Sequence, residues 1–328
     1  MGEYRRCGPA VSKWAGQRPA PGVRATGDTL RFVPPDPPPD SAVLGPRAPD
    51  WGVFGPGEVG EAAAFFTANG WVTLRGLLSD RAVTAMTDEC ATAQRQLVAD
   101  ELDARHGTVI LVDDPDGTRT AAFANYVVHV DDLSPTVTGF MASPVLNTFV
   151  SSVLGPAWWS DLERFGVVFQ DARPSAASSY SRIGWHTDWQ SGPNLDIWPS
   201  VAFTVHLDAT SPDNGFLRVV PGSHRWATPA PYVNVNGAVV PEGSRSALGH
   251  TATPPPQPMP LRFEKVPGEI ALYAERGDVL FHDAYLWHAA ARATSDESVR
   301  RHVRGSFYAG TPMGDDARYD EFVKNAAR

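Results

Sequence analysis

The sequence predicts a mostly β protein with flanking helices: an antiparallel jelly roll with an α-helical layer against one sheet. Three observations predict it. Runs with helical spacing come first, mainly between 57 and 155. Short runs of β-branched and aromatic residues, separated by turn formers, follow between 165 and 310. Helices grouped before strands segregate into layers rather than alternating around a parallel sheet. Finally, the chain has 328 residues, 42% of them hydrophobic, enough for one large core.

Residues 1–50 are rich in Pro, Gly and Arg and include Pro34-Pro35-Asp36-Pro37-Pro38-Pro39. Proline fixes φ and removes a donor, so this stretch is expected to be an extended or disordered arm. Residues 51–328 are expected to form a single domain. Val59, Ala62, Ala63, Phe65 and Phe66 have helical spacing and stop at Asn69-Gly70, a suitable C-cap. Residues 71–74 read as a strand. Ser79 offers an N-cap to a long amphipathic helix through Val83, Met86, Ala91, Leu97 and Leu102. Residues 109–112 and 122–130 alternate around the turn Asp114-Pro115-Asp116-Gly117. Ser134-Pro135 opens a helix carrying Phe140, Val145, Leu146, Phe149 and Val153, which ends at Gly155-Pro156.

Strand-like runs then recur at 166–169, 183–188, 201–207, 216–220, 261–266, 270–273, 278–281 and 302–308. Residues 226–260 interrupt them with Pro, Gly and polar residues, and a loop of this length is expected to be a lid or binding loop.

The net charge of −9 argues against a nucleic-acid partner, which would require a basic stripe. Lysine occurs only at Lys13, Lys265 and Lys324, so arginine supplies nearly all positive charge. Two cysteines, Cys7 and Cys90, fit a reduced, cytoplasmic protein. No apolar run is long enough to cross a bilayer, and none follows Arg5-Arg6 as a secretory signal would.

The chemistry concentrates in Gly184-Trp185-His186-Thr187-Asp188-Trp189 and in the run from Phe281 to His288. On a strand, His186 and Asp188 project to one side with Thr187 opposite. Two imidazoles and one carboxylate make the facial triad that holds Fe(II) and leaves positions open. The competing reading of the triplet alone is a surface histidine beside a solvated aspartate. Three further blocks weigh against it: Asp213-Asn214-Gly215 through Pro221-Gly222-Ser223-His224, Gly277-Asp278 leading toward His288, and Arg300-Arg301 before an alternating strand.

In their order and combination, these blocks resemble the phytanoyl-CoA dioxygenase family of Fe(II)/2-oxoglutarate oxygenases, from about residue 70 to 308. The resemblance implies a double-stranded β-helix, Fe(II), and 2-oxoglutarate as co-substrate, with O2 consumed and succinate and CO2 released. It places His186, Asp188 and His288 on the iron ligands and Arg300 on the arginine that grips the distal carboxylate of 2-oxoglutarate. A guanidinium suits that role because it stays charged and offers two parallel donors. The interval from His288 to Arg300 is one residue longer than usual, so Arg301 stays open as the alternative.

Gln170 and Thr204 resemble further 2-oxoglutarate contacts, against the reading that each is a strand polar group satisfied by its neighbours. Trp189 and Gln190 follow Asp188 directly and are expected near substrate. His206 either lines the pocket or is a core histidine. His224 is read as structural, and Cys90 and most tryptophans as packing. His282 and Asp283 are strand neighbours facing opposite ways, hence a poor chelate. The expected activity is oxidation of a small-molecule C–H bond in natural-product biosynthesis. Asp188 occupies the position that halogenating relatives leave small. A metal-dependent isomerase or lyase without 2-oxoglutarate is the alternative, and it would have no use for Arg300.

Overall fold

The computed structural model describes residues 51–107, 109–110, 124–160, 165–171, 184–188, 200–227, 253–260, 264–291, 293–294 and 299–309. The proline-rich arm, the turn at 114–117 and most of the expected lid at 226–260 lie outside them.

The chain starts with β1 (Val53–Phe54), α1 (Val59–Asn69) and β2 (Trp71–Leu74). Gly70 caps α1 at φ 80° and returns its N–H to Phe66 O. That left-handed position is where glycine costs least. α2 (Asp80–Val98) begins at Ser79, whose side chain accepts from the Ala82 N–H. β3 (Val109–Ile110) and β4 (Ala124–Val128) follow. Val130, expected to extend the strand, instead opens α3 (Val130–Leu133), because His129 turns the chain at φ 50°.

The single helix expected from Ser134 is two, α4 (Pro135–Met141) and α5 (Pro144–Leu154). Pro144 has no N–H to continue the ladder and holds Ser143 extended at ψ 125°. Together the pair is apolar, but it is bent by 48°. Val137, Phe140, Leu146, Phe149, Val150 and Leu154 on its two helices belong to the core. Among the described residues, no single helix is long and apolar enough to cross a membrane.

The remaining strands are β5 (Trp158–Ser160), β6 (Gly166–Asp171), β7 (Ser200–His206), β8 (Leu217–Val219), β9 (Ile270–Leu272), β10 (Val279–Asp283), β11 (His288–Ala290) and β12 (Val299–Ala309). They form two sheets. The larger runs β1-β2-β10-β7-β12-β6-β4-β3, with β5 also on β12; the smaller is β11-β8-β9. All pairings are antiparallel except β1 with β2.

Strand alternation sorts the larger sheet into two faces. Val201, Phe203, Val205, Val279, Phe281, Val303 and Phe307 join the helices in one core. Phe281 packs on Phe149 of α5 with ring centroids 4.6 Å apart. Toward the other face, Leu280 and Trp71 pack with Val219, Leu272 and Leu286 of the small-sheet side. The molecule is thus layered helices, large sheet, small sheet, and the space between the sheets receives Thr204, His206, His282, Arg300 and His302. Two expected strands are not strands where described. Residues 264–266 are irregular, and 184–188 contribute only one β-bridge.

Candidate metal centre

That bridge explains how the first two groups meet. His186 and His288 sit directly opposite each other, each donating its N–H to the other's carbonyl at 3.0 Å. Opposed residues of an antiparallel pair share a face. Their rings lie 4.1 Å apart at the centroids. Asp188, two residues on, brings Oδ1 to 3.9 Å from His186 Nε2 and 3.5 Å from His288 Nε2. The expected strand alternation is therefore not the cause: the segment is irregular, and its pairing to β11 sets the geometry.

One ligand atom from each of His186, Asp188 and His288 lies within 4.8 Å of the others, as in groups able to hold a metal ion. The tautomers fit that use. His186 Nδ1–H donates to Gly184 O at 2.8 Å and His288 Nδ1–H to Leu286 O at 2.9 Å. Each ring thereby keeps its Nε2 lone pair for the common point, the outer arrangement that orients metal-binding histidines.

Electrostatics agree. Burial, and then the nearby His288, push the His186 pKa down to about 3, so this imidazole stays neutral. Burial alone would raise the Asp188 pKa, but His288 and His282 hold it well below the usual carboxylate range. Burial opposes a charge on His288, yet Asp188 wins and raises its pKa.

A buried ion pair supports the segment from behind. Arg218 and Glu269 have side-chain exposures of 1% and 0%. Arg218 Nη2 donates to both carboxylate oxygens, at 2.8 and 2.6 Å. The guanidinium stacks 4.9 Å over the Trp185 ring, and Trp185 Nε1–H donates to Glu264 O at 2.8 Å. Trp185, adjacent to His186, is thus clamped on its face and at its polar edge.

Arg300 is buried at 7% exposure on β12. Gly215, at φ 84°, lies beside it and is held to glycine by its backbone and by the Ala291 carbonyl. A methyl there would meet Ala291 O at 2.8 Å and come within 3.5 Å of Arg300 Nη1. Arg301 has a different use: it donates to both Asp208 oxygens, at 2.8 and 2.6 Å. It also lies near Asp88 and Cys90 of α2. The strand therefore turns Arg300 toward the small sheet and Arg301 toward the helices.

Thr204 and His206 alternate on β7, with His206 opposite His302 of β12. Burial, then the Arg300 charge, lower the pKa of His206 to about 3 and that of His302 well below its ordinary value. Gln170 faces Arg300 in the β6–β12 register, although its side chain lies outside the described residues, as do Trp189 and Gln190 entirely. His224 is tied to Thr67 O at 3.1 Å in a turn after β8. Burial raises the Cys90 thiol pKa to about 12, consistent with packing rather than reactivity.

His282 was not expected at this centre. It makes no chelate with Asp283, but its Nε2–H donates to Asp188 Oδ2 at 2.9 Å. Only the strand order shows this, because the contact spans 94 residues of sequence. Its usable signal was parity with Leu280 on β10.

Several solved structures share this architecture. One is AviO1 from Streptomyces viridochromogenes Tue57, at 17% identity and TM-score 0.51 over 78% of this chain and 97% of that one. Another is the epimerase SnoN in complex with Fe3+, alpha ketoglutarate and nogalamycin RO, at 19% and 0.52 over 78% and 85%. A third is EctD from S. alaskensis with bound Fe, at 18% and 0.51 over 76% of each. At these identities the likeness is one of fold. No curated protein matches the chain at a significant level. The sequence profile of the phytanoyl-CoA dioxygenase (PhyH) family matches residues 66–303, and the chain belongs to that family.

Proposed function

We propose that the chain is an Fe(II)- and 2-oxoglutarate-dependent oxygenase acting on a small molecule in natural-product biosynthesis. The observation that carries this reading is the convergence of His186, Asp188 and His288, whose ligand atoms lie within 4.8 Å of one another. Two nitrogen donors and one carboxylate, with positions left free, suit Fe(II) in oxygen chemistry. The structural neighbours SnoN, described with alpha ketoglutarate, and EctD, described with Fe, support the same cofactors.

His186, Asp188 and His288 would hold the metal, and Arg300 the distal carboxylate of 2-oxoglutarate. Together, iron and 2-oxoglutarate supply oxidative decarboxylation to succinate and CO2, coupled to oxidation of a substrate C–H bond by O2. The chain's own residues bind and orient. Arg300 presents a fixed charge from a dry setting, where a carboxylate is held more strongly than in water. Thr204 is on the same face as Arg300 and is assigned to the co-substrate, as is Gln170 by register. His206, Trp189 and Gln190 are assigned to the substrate side. Hydroxylation is the favoured outcome.

The test is succinate formation from 2-oxoglutarate by purified protein supplied with Fe(II) and O2. Slow substrate-independent succinate is expected, and Asp188→Ala should remove it. No succinate from the wild type under any substrate panel, or undiminished succinate from Asp188→Ala, would reject the assignment.

A further inference from the structure

Asp188 is the least sheltered of the three candidate ligands, its side chain 37% exposed. It lies beyond the single bridge at His186, in backbone with no strand partner of its own. Nothing in such a segment by itself decides whether a carboxylate offers a metal one oxygen or two. His282 does. It stands on β10, paired on one side with Trp71 of β2 and on the other with Ala202 of β7, so its backbone is fixed in the interior of the large sheet. Its residue exposure is 8%, and it reaches across the gap between the sheets to Asp188 Oδ2 at 2.9 Å. Its other nitrogen, Nδ1, is buried without a hydrogen-bond partner. An imidazole kept in that situation has one polar contact to justify its burial. The carboxylate is therefore divided: Oδ1 faces the two ligand imidazoles, and Oδ2 is engaged by His282.

We propose that His282 is a positioning residue that restricts Asp188 to one-oxygen coordination, so that the carboxylate does not close a metal position needed by exchangeable ligands. The inference rests on the metal reading above. It assigns His282 no place among the ligands, since its nitrogens fall outside the group whose atoms are mutually within 4.8 Å.

Co(II) serves as the probe, because its affinity can be titrated calorimetrically and its visible spectrum reports coordination number without turnover. His282→Leu removes the donor, and His282→Gln can restore it through Nε2. The expected result is about 10- to 100-fold weaker Co(II) binding by His282→Leu, the usual cost of losing an outer hydrogen-bond partner. Its spectrum should shift toward higher coordination, and His282→Gln should return both readouts near wild type. Should the leucine variant fail to fold, His282→Asn, whose amide is too short to reach Oδ2, takes its place. Wild-type affinity and spectrum in the donor-less variant would overturn the inference alone. So would evidence of three imidazoles on the metal. If the wild type does not bind Co(II), or His288→Ala binds it equally well, the metal reading itself fails.

Discussion

Arg300 and Arg301 show how two identical side chains, one residue apart, acquire different chemistry. Strand parity sends one to each face of β12, and the sequence alone names the pair without saying which face is which. Asp208 resolves it: two residues past the end of β7, it takes both forks of Arg301 on the helical side, leaving Arg300 buried between the sheets. The two alanine variants should therefore part company. On the proposed role of Arg300, Arg300→Ala should remove charge-assisted bonds of about 1.5–3 kcal/mol, so KM for 2-oxoglutarate should rise by about 10- to 150-fold. Arg301→Ala should leave that KM unchanged and lower stability by about 1 kcal/mol or less, since its pair is partly exposed. Steady-state titration with 2-oxoglutarate and urea unfolding read the two effects separately. The same parity logic explains why His282 escaped the sequence reading. Its alternation with Phe281 is visible, but the partner it reaches is set by the order of strands, which no local pattern records.

At the level of elements, local signals carried furthest where they are chemically sharp. Ser79 and Gly70 are a hydroxyl cap and a left-handed glycine, and the helices start and stop there. The break between α4 and α5 was equally local, written in Pro144, yet the apolar spacing ran through it and masked it. The short strands β1, β5 and β11 were not legible, because two or three residues carry no period and are held by pairing alone. The segment at 184–188 is held in that way too, and the Arg218–Glu269 pair behind Trp185 supports it. Arg218→Met leaves Glu269 charged and buried, with the Val266 N–H as one remaining donor at 2.8 Å. The expected loss is about 3–5 kcal/mol in urea unfolding. Pairing Arg218→Met with Glu269→Leu should recover most of it, because two apolar groups leave no orphaned charge. A single variant as stable as wild type would show that the pair is not the support described here.

Across the whole molecule, the order of helices before strands made the layers readable. What the two sheets enclose was not, because it depends on pairings between residues far apart in sequence. That enclosed space holds imidazoles kept neutral by burial, and it makes stability depend on pH. Burial and then the Arg300 charge lower the pKa of His206 to about 3, and burial followed by Arg300 also holds that of His302 well below its ordinary value. In the unfolded chain both titrate near the ordinary histidine value of about 6.5. Between those values the unfolded state binds more protons than the folded one, so stability is lost as pH falls from about 6.5 toward 3. Each histidine contributes at most about 1.4 kcal/mol per pH unit in that window. Urea unfolding at pH 7, 6 and 5 should show the decline, and the double variant His206→Gln/His302→Gln should flatten it. Saturating Co(II) adds a second dependence of the same direction, since His186 and His288 bind metal only when deprotonated. At a concentration of 100 times Kd the metal should add about 2.7 kcal/mol at pH 7, and this increment should shrink on acidification. A decline of equal slope in the double variant would place the acid sensitivity elsewhere than in the space between the sheets.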